Sequence, residues 1–162
     1  MTVESDPPRV ELRVRECTPV GVHDRQEAVY EQLEQLREAG AIADVTVEVW
    51  GKQVRVGATT DPAAADAAVR AARSTYEEFE VWAERTGHRL EPAFSTHTLG
   101  SLVTDEQVEV VRFPTMCLAV YDADDLLTVV PCSTDEGVRT VGDYLATLRS
   151  GEWTPAAVEA RR

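Results

Sequence analysis

The stretch RVELRVREC, residues 9–17, alternates between apolar and charged side chains. Val10, Leu12 and Val14 fall on one side of an extended chain, and the charged residues between them fall on the other. Strict alternation of this kind is typical of a strand with one face in a core and the other toward water. The stretch therefore predicts a half-buried strand at the start of the domain, preceded by a disordered leader of residues 1–8.

A helix and a second strand follow this first strand. Asp24 and Glu27 fit a capping box, which predicts a helix over about 25–39 that ends at Gly40. The segment DVTVEVW, residues 44–50, then alternates again. A strand, a helix of about four turns and a second strand predict a βαβ unit with a right-handed crossover between parallel strands.

The remaining elements are read from caps, turns and apolar runs. Asp61 as an N-cap and Pro62 at the first helical position predict a second helix to about residue 86. Two strands are predicted next, over about 93–98 and 107–113. A hairpin follows, in which strands 116–122 and 126–131 are joined by the turn Asp122–Asp125. The Thr140–Asp143 capping box predicts a last helix that ends near residue 149.

The order β-α-β-α-β-β-β-β-α favours an α+β fold, a ferredoxin-like sheet with helices packed on one face. One domain would span residues 9–149, followed by a loosely packed tail over 150–162. The two strands of the predicted C-terminal hairpin are apolar on both faces, while the helices would cover only one. Because an exposed apolar sheet face is usually an interface, we expect a homodimer that forms through these C-terminal strands.

The charge balance is the strongest global signal in the composition. There are 29 acidic and 16 basic side chains, which gives a formal net charge of -13, and the basic residues are 15 Arg and the single Lys52. An acidic surface with little lysine suits a protein that stays soluble in concentrated salt, as in a halophile. The alternative source is an acidic mesophilic protein from a GC-rich genome, which explains the scarcity of lysine better than the excess of carboxylates.

The sequence gives no sign of export or of membrane insertion. The N-terminus MTVESDPPRV has neither a basic start nor an apolar run, and no window approaches the roughly 18 apolar residues of a membrane span. The three cysteines are odd in number and lack C-x-x-C spacing, so a disulfide framework is not expected. We therefore expect a cytoplasmic protein with reduced thiols and no membrane contact.

Several phrases of the chain resemble a known family. They are HDRQEAVYEQLEQLREAGAI, VTVEVWGKQV, FEVWAERTGHRLEPAF, CLAVYDADDLLTVVPCS and TVGDYLATL, and in this order they span nearly the whole of residues 9–149. This pattern resembles an uncharacterised haloarchaeal family labelled helix-turn-helix domain-containing. The resemblance implies a halophilic archaeal origin and a role in transcription.

The residues themselves do not predict helix-turn-helix geometry. That motif needs two short helices joined by a tight turn, with the second helix in a major groove. Here the predicted helix over 25–39 is followed by Gly40 and a strand pattern. The net charge of -13 also opposes phosphate binding, unless the chain carries a local basic patch.

One candidate binding surface lies beside the first two strands. Arg13 and Arg15 point outward from the first strand, and Trp50, Lys52 and Arg55 lie at or just past the end of the second. If the two strands are neighbours, these residues share one face or edge of the sheet. Such a group would bind an anion, a nucleic acid or an acidic partner through charge and stacking.

A purely structural role explains the same residues. Arg13 and Arg15 would then pair with carboxylates such as Glu11 and Glu48, and Trp50 would pack in the core. Both interpretations of this surface stay open on sequence alone.

No catalytic residue, metal ligand or cofactor is predicted. Ser95 and His97 fall on the same face of a predicted strand, but no nucleophile-elbow motif surrounds them. Cys117 and Cys132 lack the spacing of metal ligands, and buried cysteines commonly behave as small apolar residues. The glycines form no phosphate loop.

Together these observations favour a non-enzymatic cytoplasmic regulatory protein of a halophilic archaeon, which acts in transcription through DNA or protein contacts. The alternative is a small-molecule or protein-binding module of ferredoxin-like fold with no nucleic-acid role.

Overall fold

The computed structural model describes residues 6–56, 67–100 and 107–150, and the statements below concern these ranges. Their elements, in chain order, are β1 Arg9–Arg15, α1 Val20–Glu38, β2 Asp44–Trp50, β3 Gln53–Val56, α2 Ala67–Thr86, β4 Ser95–Gly100, β5 Gln107–Arg112, β6 Met116–Asp122, β7 Asp125–Val130, β8 Cys132–Thr134, β9 Gly137–Arg139 and α3 Val141–Ser150.

Four strands form the larger sheet, called sheet A, in the order β2-β1-β6-β7. β1 runs parallel to β2 and antiparallel to β6, so Leu12 lies between Val47 and Leu118. The predicted α+β class and the parallel β1-α1-β2 unit are confirmed. The ferredoxin-like strand order is not confirmed: a split βαβ unit has another strand between its parallel pair, whereas β1 and β2 are direct neighbours.

Helices cover both faces of sheet A. The face that carries Leu12 and Val47 packs against α1, whose Gln26 borders a groove with both residues, and α3 contacts α1. The opposite face carries Trp50, whose ring lies 6.3 Å from that of Phe79 in α2. This differs from the predicted packing of all helices on one face, because strands that are apolar on both sides need cover on both.

The covering of both faces also removes the reason for a dimer through the C-terminal strands. Cys117 and Ala119 on one face of β6, and Leu118 and Val120 on the other, are each 0% exposed within the single chain. The apolar face that the prediction expected to be open is already buried by α1, α2 and α3.

Three shorter strands form a second sheet, called sheet B, in the order β3-β5-β4. The sequence did not predict β3 as a separate strand. Val54 pairs with Val111, and Arg55 pairs with Val110, which in turn pairs with His97 of β4. Val54 and Val111 belong to the main core, so alternate residues of sheet B point away from it.

Aromatic side chains join the two sheets. Trp50, at the end of β2, stacks on Phe113 with ring centroids 3.9 Å apart. Phe79 of α2 and Phe94 meet the same indole edge-on, at 6.3 and 6.2 Å. Since aromatic pairs stabilise beyond their buried area, this cluster fixes sheet B against the end of sheet A.

The boundaries of the helices show which local signals worked. The capping box of the last helix is confirmed: the Thr140 amide donates to Asp143 Oδ2 at 2.9 Å, and the Asp143 amide donates to Thr140 Oγ1 at 3.1 Å. The predicted start of the first helix is wrong, because α1 begins at Val20 with Pro19 as its N-cap.

Several other expectations concern segments at the edges of the description. Pro8, placed in the leader by the sequence, is buried, and its carbonyl accepts a hydrogen bond from the Ala43 amide at 2.8 Å. The predicted caps Asp61 and Pro62 lie outside the described residues, as does the predicted tail over 150–162 apart from Ser150, which ends α3. Among the helices of the described ranges, none is both long and apolar enough to cross a membrane.

Candidate nucleic-acid interface

The predicted binding residues divide into two groups. Arg13 and Trp50 lie between sheet A and α2, where Trp50 is 5% exposed. The Arg13 guanidinium carbon lies 5.2 Å above the Trp50 ring, and Arg13 Nη2 forms an ion pair with Glu11 Oε1 at 3.2 Å. Both residues therefore have structural partners, as the second interpretation of this surface expected.

Arg15 also has a structural partner. Its Nη1 donates to the Phe113 carbonyl at 3.1 Å, and its own amide donates to the Thr115 carbonyl at 3.0 Å. Arg15 thus ties the end of β1 to the segment between β5 and β6. The structure does not bring it together with Arg55.

Arg55 belongs to a different surface, which we call the outer basic face. This face is the side of sheet B that points away from the core. Arg55 and Arg112 are both exposed there, on the neighbouring strands β3 and β5. The described strand residues that share this face are Gln53, Arg55, Ser95, His97, Leu99, Val108, Val110 and Arg112.

The register explains why the two arginines lie close together. Arg55 pairs with Val110 and Arg112 pairs with Gln53, so the arginines are diagonal neighbours across β3 and β5. Diagonal neighbours in an antiparallel pair are about 7–8 Å apart, within reach of long side chains. Val110 between them is 2% exposed although it lies outside the main core cluster.

The charges of the outer basic face are not neutralised by their described surroundings. Within the described ranges, the side chains of Arg55, Arg112 and the exposed Lys52 form no ion pair. No carboxylate of the described strands points to this side, since Glu109 pairs with Val56 on the core side. In a chain of net charge -13, this is a local concentration of positive charge.

Lys52 lies at the bend between β2 and β3. Its carbonyl accepts a hydrogen bond from the Phe113 amide at 2.9 Å, which holds the bend against the end of β5. The side chain is exposed. Lys52 therefore lies next to Gln53, the residue that pairs with Arg112.

Ser95 and His97 lie on the same face of β4, as their spacing predicted, and the register places that face on the outer basic face. Ser95 Oγ and His97 Nε2 are 2.9 Å apart. A nucleophile of this kind also needs a third group that orients the histidine. Among the described residues, no carboxylate is hydrogen-bonded to His97, so the pair is best understood as a polar contact on a strand.

The two cysteines on core strands have the properties of structural residues. Burial raises the pKa of the Cys117 thiol to about 12 and that of Cys132 to about 11. Thiols of this kind are neutral and unreactive near pH 7. Within the described ranges no group of three or more His, Cys, Asp or Glu side chains has the arrangement of a metal site.

A cavity of about 430 Å³ adjoins the buried half of the predicted site. Arg13 and Trp50 line it, opposite small side chains of α2 such as Ala68 and Ala72. Arg13 Nε and Trp50 Nε1 are buried and have no hydrogen-bond acceptor among the described residues, but neither atom is open to the cavity. The cavity thus offers room for a small molecule beside the Arg13 side chain.

Sequence reasoning missed Arg112. The segment QVEVVR ends in an exposed arginine, but its position beside Arg55 depends on the pairing of β3 with β5. Those strands are separated by the 50 residues 57–106, so the alternation of each strand alone carries no signal for their pairing.

Comparison with known proteins gives one match. Neither the curated proteins nor the solved structures yield a match to this chain. A family model described as a helix-turn-helix domain matches residues 2–152. In the described ranges no two helices follow each other through a tight turn, because α1 leads into β2 and α2 leads into β4. The match covers nearly the whole chain, and on that basis the chain belongs to the helix-turn-helix domain family.

Proposed function

We propose that this protein is a non-enzymatic regulator of transcription that contacts DNA through the outer basic face of sheet B. Family membership supports a DNA-binding regulator rather than an enzyme. The single observation that carries the location is the pair of exposed arginines, Arg55 and Arg112, with no described carboxylate beside them.

Electrostatics favours this face over the helices. Each helix carries its own carboxylates: Arg37 of α1, for example, pairs with Glu34 at 2.6 Å. A phosphate that approaches such a pair meets a neutralised cation. Sheets are established readers of DNA grooves and backbone, so a strand face is a sound alternative to a recognition helix.

The many carboxylates outside the outer basic face favour a protein that functions in concentrated salt. We propose a halophilic archaeal source and a cytoplasmic location, which the carboxylate excess and the low lysine content support. DNA affinity falls with salt by a slope of about 0.9 per neutralised phosphate. An interface with only two or three cations therefore loses less affinity in concentrated salt than a wholly basic one.

The test is a DNA-binding titration in molar potassium salt with genomic fragments, read by fluorescence anisotropy. The test variant is Arg55→Glu with Arg112→Glu, and the matched control is Arg25→Glu with Arg149→Glu, which makes the same charge change on α1 and α3. We expect binding by the wild type and by the control, and at least a tenfold loss in the test variant. Equal loss in both variants would show a general charge effect and contradict the proposed location.

A ligand-binding module is the second candidate function, and the 430 Å³ cavity favours it. The Arg13 guanidinium in its lining would bind a small molecule that carries an acceptor such as a carboxylate. Isothermal titration with small carboxylic acids tests this candidate. Saturable binding that Ala72→Leu abolishes, together with no DNA binding by the wild type, would favour the module over the regulator.

A further inference from the structure

The two edge strands of sheet A, β7 and β2, differ in the hydrogen bonds that their open sides make. At the β7 edge, side chains of α2 bond to strand carbonyls: Trp82 Nε1 donates to the Leu127 carbonyl at 3.0 Å, and Arg85 Nη2 donates to that of Leu126 at 3.4 Å. At the β2 edge, no strand pairs with β2 other than β1 among the described residues. β2 also carries no proline, lysine or bulge, and of the usual protections of an edge strand it has only the charged side chains of Asp44 and Glu48.

The open edge is apolar on the side of α1. Val47 is 45% exposed and Val49 is 64% exposed, although both follow the alternation of inward-facing valines. With Tyr30 of α1 they border a groove of about 410 Å³ between the helix and the strand. α1 therefore leaves the C-terminal part of β2, at Val47 and Val49, uncovered.

We propose that this edge is an interface with a second copy of the same chain, in which β2 pairs antiparallel with β2 of the copy across a two-fold axis. The result is one continuous sheet built from the two sheets A. This association is independent of DNA and goes beyond the proposed regulatory function.

Backbone directions fit such pairing. The Trp50 carbonyl accepts a hydrogen bond from the Glu16 amide, so it points toward β1. Since backbone groups alternate along a strand, those of Val45, Val47 and Val49 point toward the open edge. Three residues per chain are thus positioned to exchange hydrogen bonds with the copy.

One register satisfies the charges. If Val47 lies on the two-fold axis, all seven residues of β2 pair, Val45 lies opposite Val49 of the copy, and Thr46 lies opposite Glu48. A shift of one axis position in either direction leaves only five pairs and sets Asp44 opposite Glu48, or Glu48 opposite itself. Carboxylates directly opposite each other are destabilising, so β2 is complementary to itself in a single register.

A second copy also suits the ends of the strand. In this register Asp44 lies opposite Trp50 of the copy, and Lys52 follows two residues later. Gly51 and Lys52 form the bend at which the chain leaves sheet A, so the pairing ends at Trp50. An isologous contact of this kind closes on itself and gives a dimer rather than a fibre.

The first test is the mass in solution by light scattering, across a range of protein concentrations. Val47→Lys sets two ammonium groups against each other at the axis, and Val81→Lys is the matched control because Val81 on α2 is 63% exposed. We expect a dimer for the wild type and for Val81→Lys, and a monomer for Val47→Lys with unchanged circular dichroism. A wild-type monomer at every concentration, or a dimer that survives Val47→Lys, would overturn the proposal.

The second test fixes the register. Residues in a hydrogen-bonded antiparallel pair have Cα atoms about 5.5 Å apart, which is compatible with a disulfide. In a Cys17→Ser background, which removes the exposed cysteine, Val47→Cys is expected to form a disulfide-linked dimer on mild oxidation, while Val81→Cys is expected to stay largely monomeric. Equal cross-linking of both variants would contradict pairing centred on Val47.

Discussion

The two larger sheets of this protein share one aromatic core but have different surroundings. Sheet A is covered on both faces by helices, and its strand β6 contains four consecutive residues that are 0% exposed. Sheet B packs one side against the shared core, and its other side carries the exposed Arg55 and Arg112 beside the buried Val110. The contrast fits a division of tasks in which sheet A stabilises the fold and, under the proposed function, the exposed arginines of the outer basic face contact DNA.

The largest difference between the sheets is expected for truncated leucines. Leu118 in β6 is 0% exposed, so Leu118→Ala is expected to lower the free energy of unfolding by about 2–5 kcal/mol. Leu99 in β4 is 42% exposed, and Leu99→Ala is expected to change the free energy of unfolding by less than about 0.5 kcal/mol. Denaturant unfolding measures both values, and similar losses in the two variants would break the comparison.

A smaller effect is expected when a hydrogen bond from α2 to the edge strand β7 is removed. Trp82→Phe removes the indole N–H, so the Leu127 carbonyl loses its hydrogen bond to that group. This is expected to lower the free energy of unfolding by about 1–3 kcal/mol. Trp50→Phe is the matched control, since Trp50 is also buried but its Nε1 has no hydrogen-bond acceptor within the described ranges. Thermal and denaturant unfolding are expected to show a greater loss for Trp82→Phe. Equal losses would mean that the bond to β7 contributes little.

The same corner of sheet A is expected to make stability depend on pH. His88 stacks on Trp82 with ring centroids 4.7 Å apart. Burial, followed by the charge of Arg139, lowers the pKa of His88 below its ordinary value of 6.5. The unfolded chain then binds the proton more readily, so this contribution to stability is full above pH 6.5 and is lost as the pH falls through the lower, folded pKa.

Unfolding free energies measured between neutral and mildly acid pH check this dependence. His88→Gln is expected to reduce the fall in stability on acidification. His23→Gln, a change at an exposed histidine that pairs with Glu27, serves as the control and is expected to retain the fall. An unchanged acid response in His88→Gln would show that other groups cause it.

The smallest effect on stability is expected on the outer basic face. Arg55→Ala and Arg112→Ala remove exposed side chains that have no described ion pair, so each is expected to change the free energy of unfolding by less than about 0.5 kcal/mol. Thermal unfolding of both variants measures this. A large loss would mean that these arginines stabilise the fold, and the division of tasks between the sheets would not hold.

Local patterns were enough to predict much of sheet A. Alternation over residues 9–17 and 44–50 identified β1 and β2, and the helix between them implied that they are parallel. The Thr140–Asp143 capping box marked α3 correctly because both partners lie within one turn of the chain. Signals of this kind need no knowledge of distant segments.

The candidate interface could be predicted only in part. Arg55 was identified because it lies just past the second strand in the sequence. However, β3 follows β2 after a bend and enters a different sheet. Arg55 and Arg112 are neighbours because of the register between β3 and β5, and tertiary packing decides that register. The burial of Trp50 among Phe79, Phe94 and Phe113 depends on packing in the same way.

The start of α1 illustrates a competition between local signals. Asp24 and Glu27 form an acceptable capping box, yet the helix begins at Val20. The amides of Val22 and His23 both donate to the Pro19 carbonyl at 3.0 Å, so the chain is already helical before Asp24. Glu27 instead pairs with His23 at 3.1 Å, one turn earlier on the exposed side.

Chemical-shift changes on addition of DNA test the central claim most directly, since they locate the contact without any substitution. In molar potassium salt, we expect genomic fragments to shift the resonances of Arg55, His97 and Arg112, and to leave those of α1 unchanged. Shifts confined to α1 or α3, or no shift at any DNA concentration, would contradict the assignment of the outer basic face as the DNA contact.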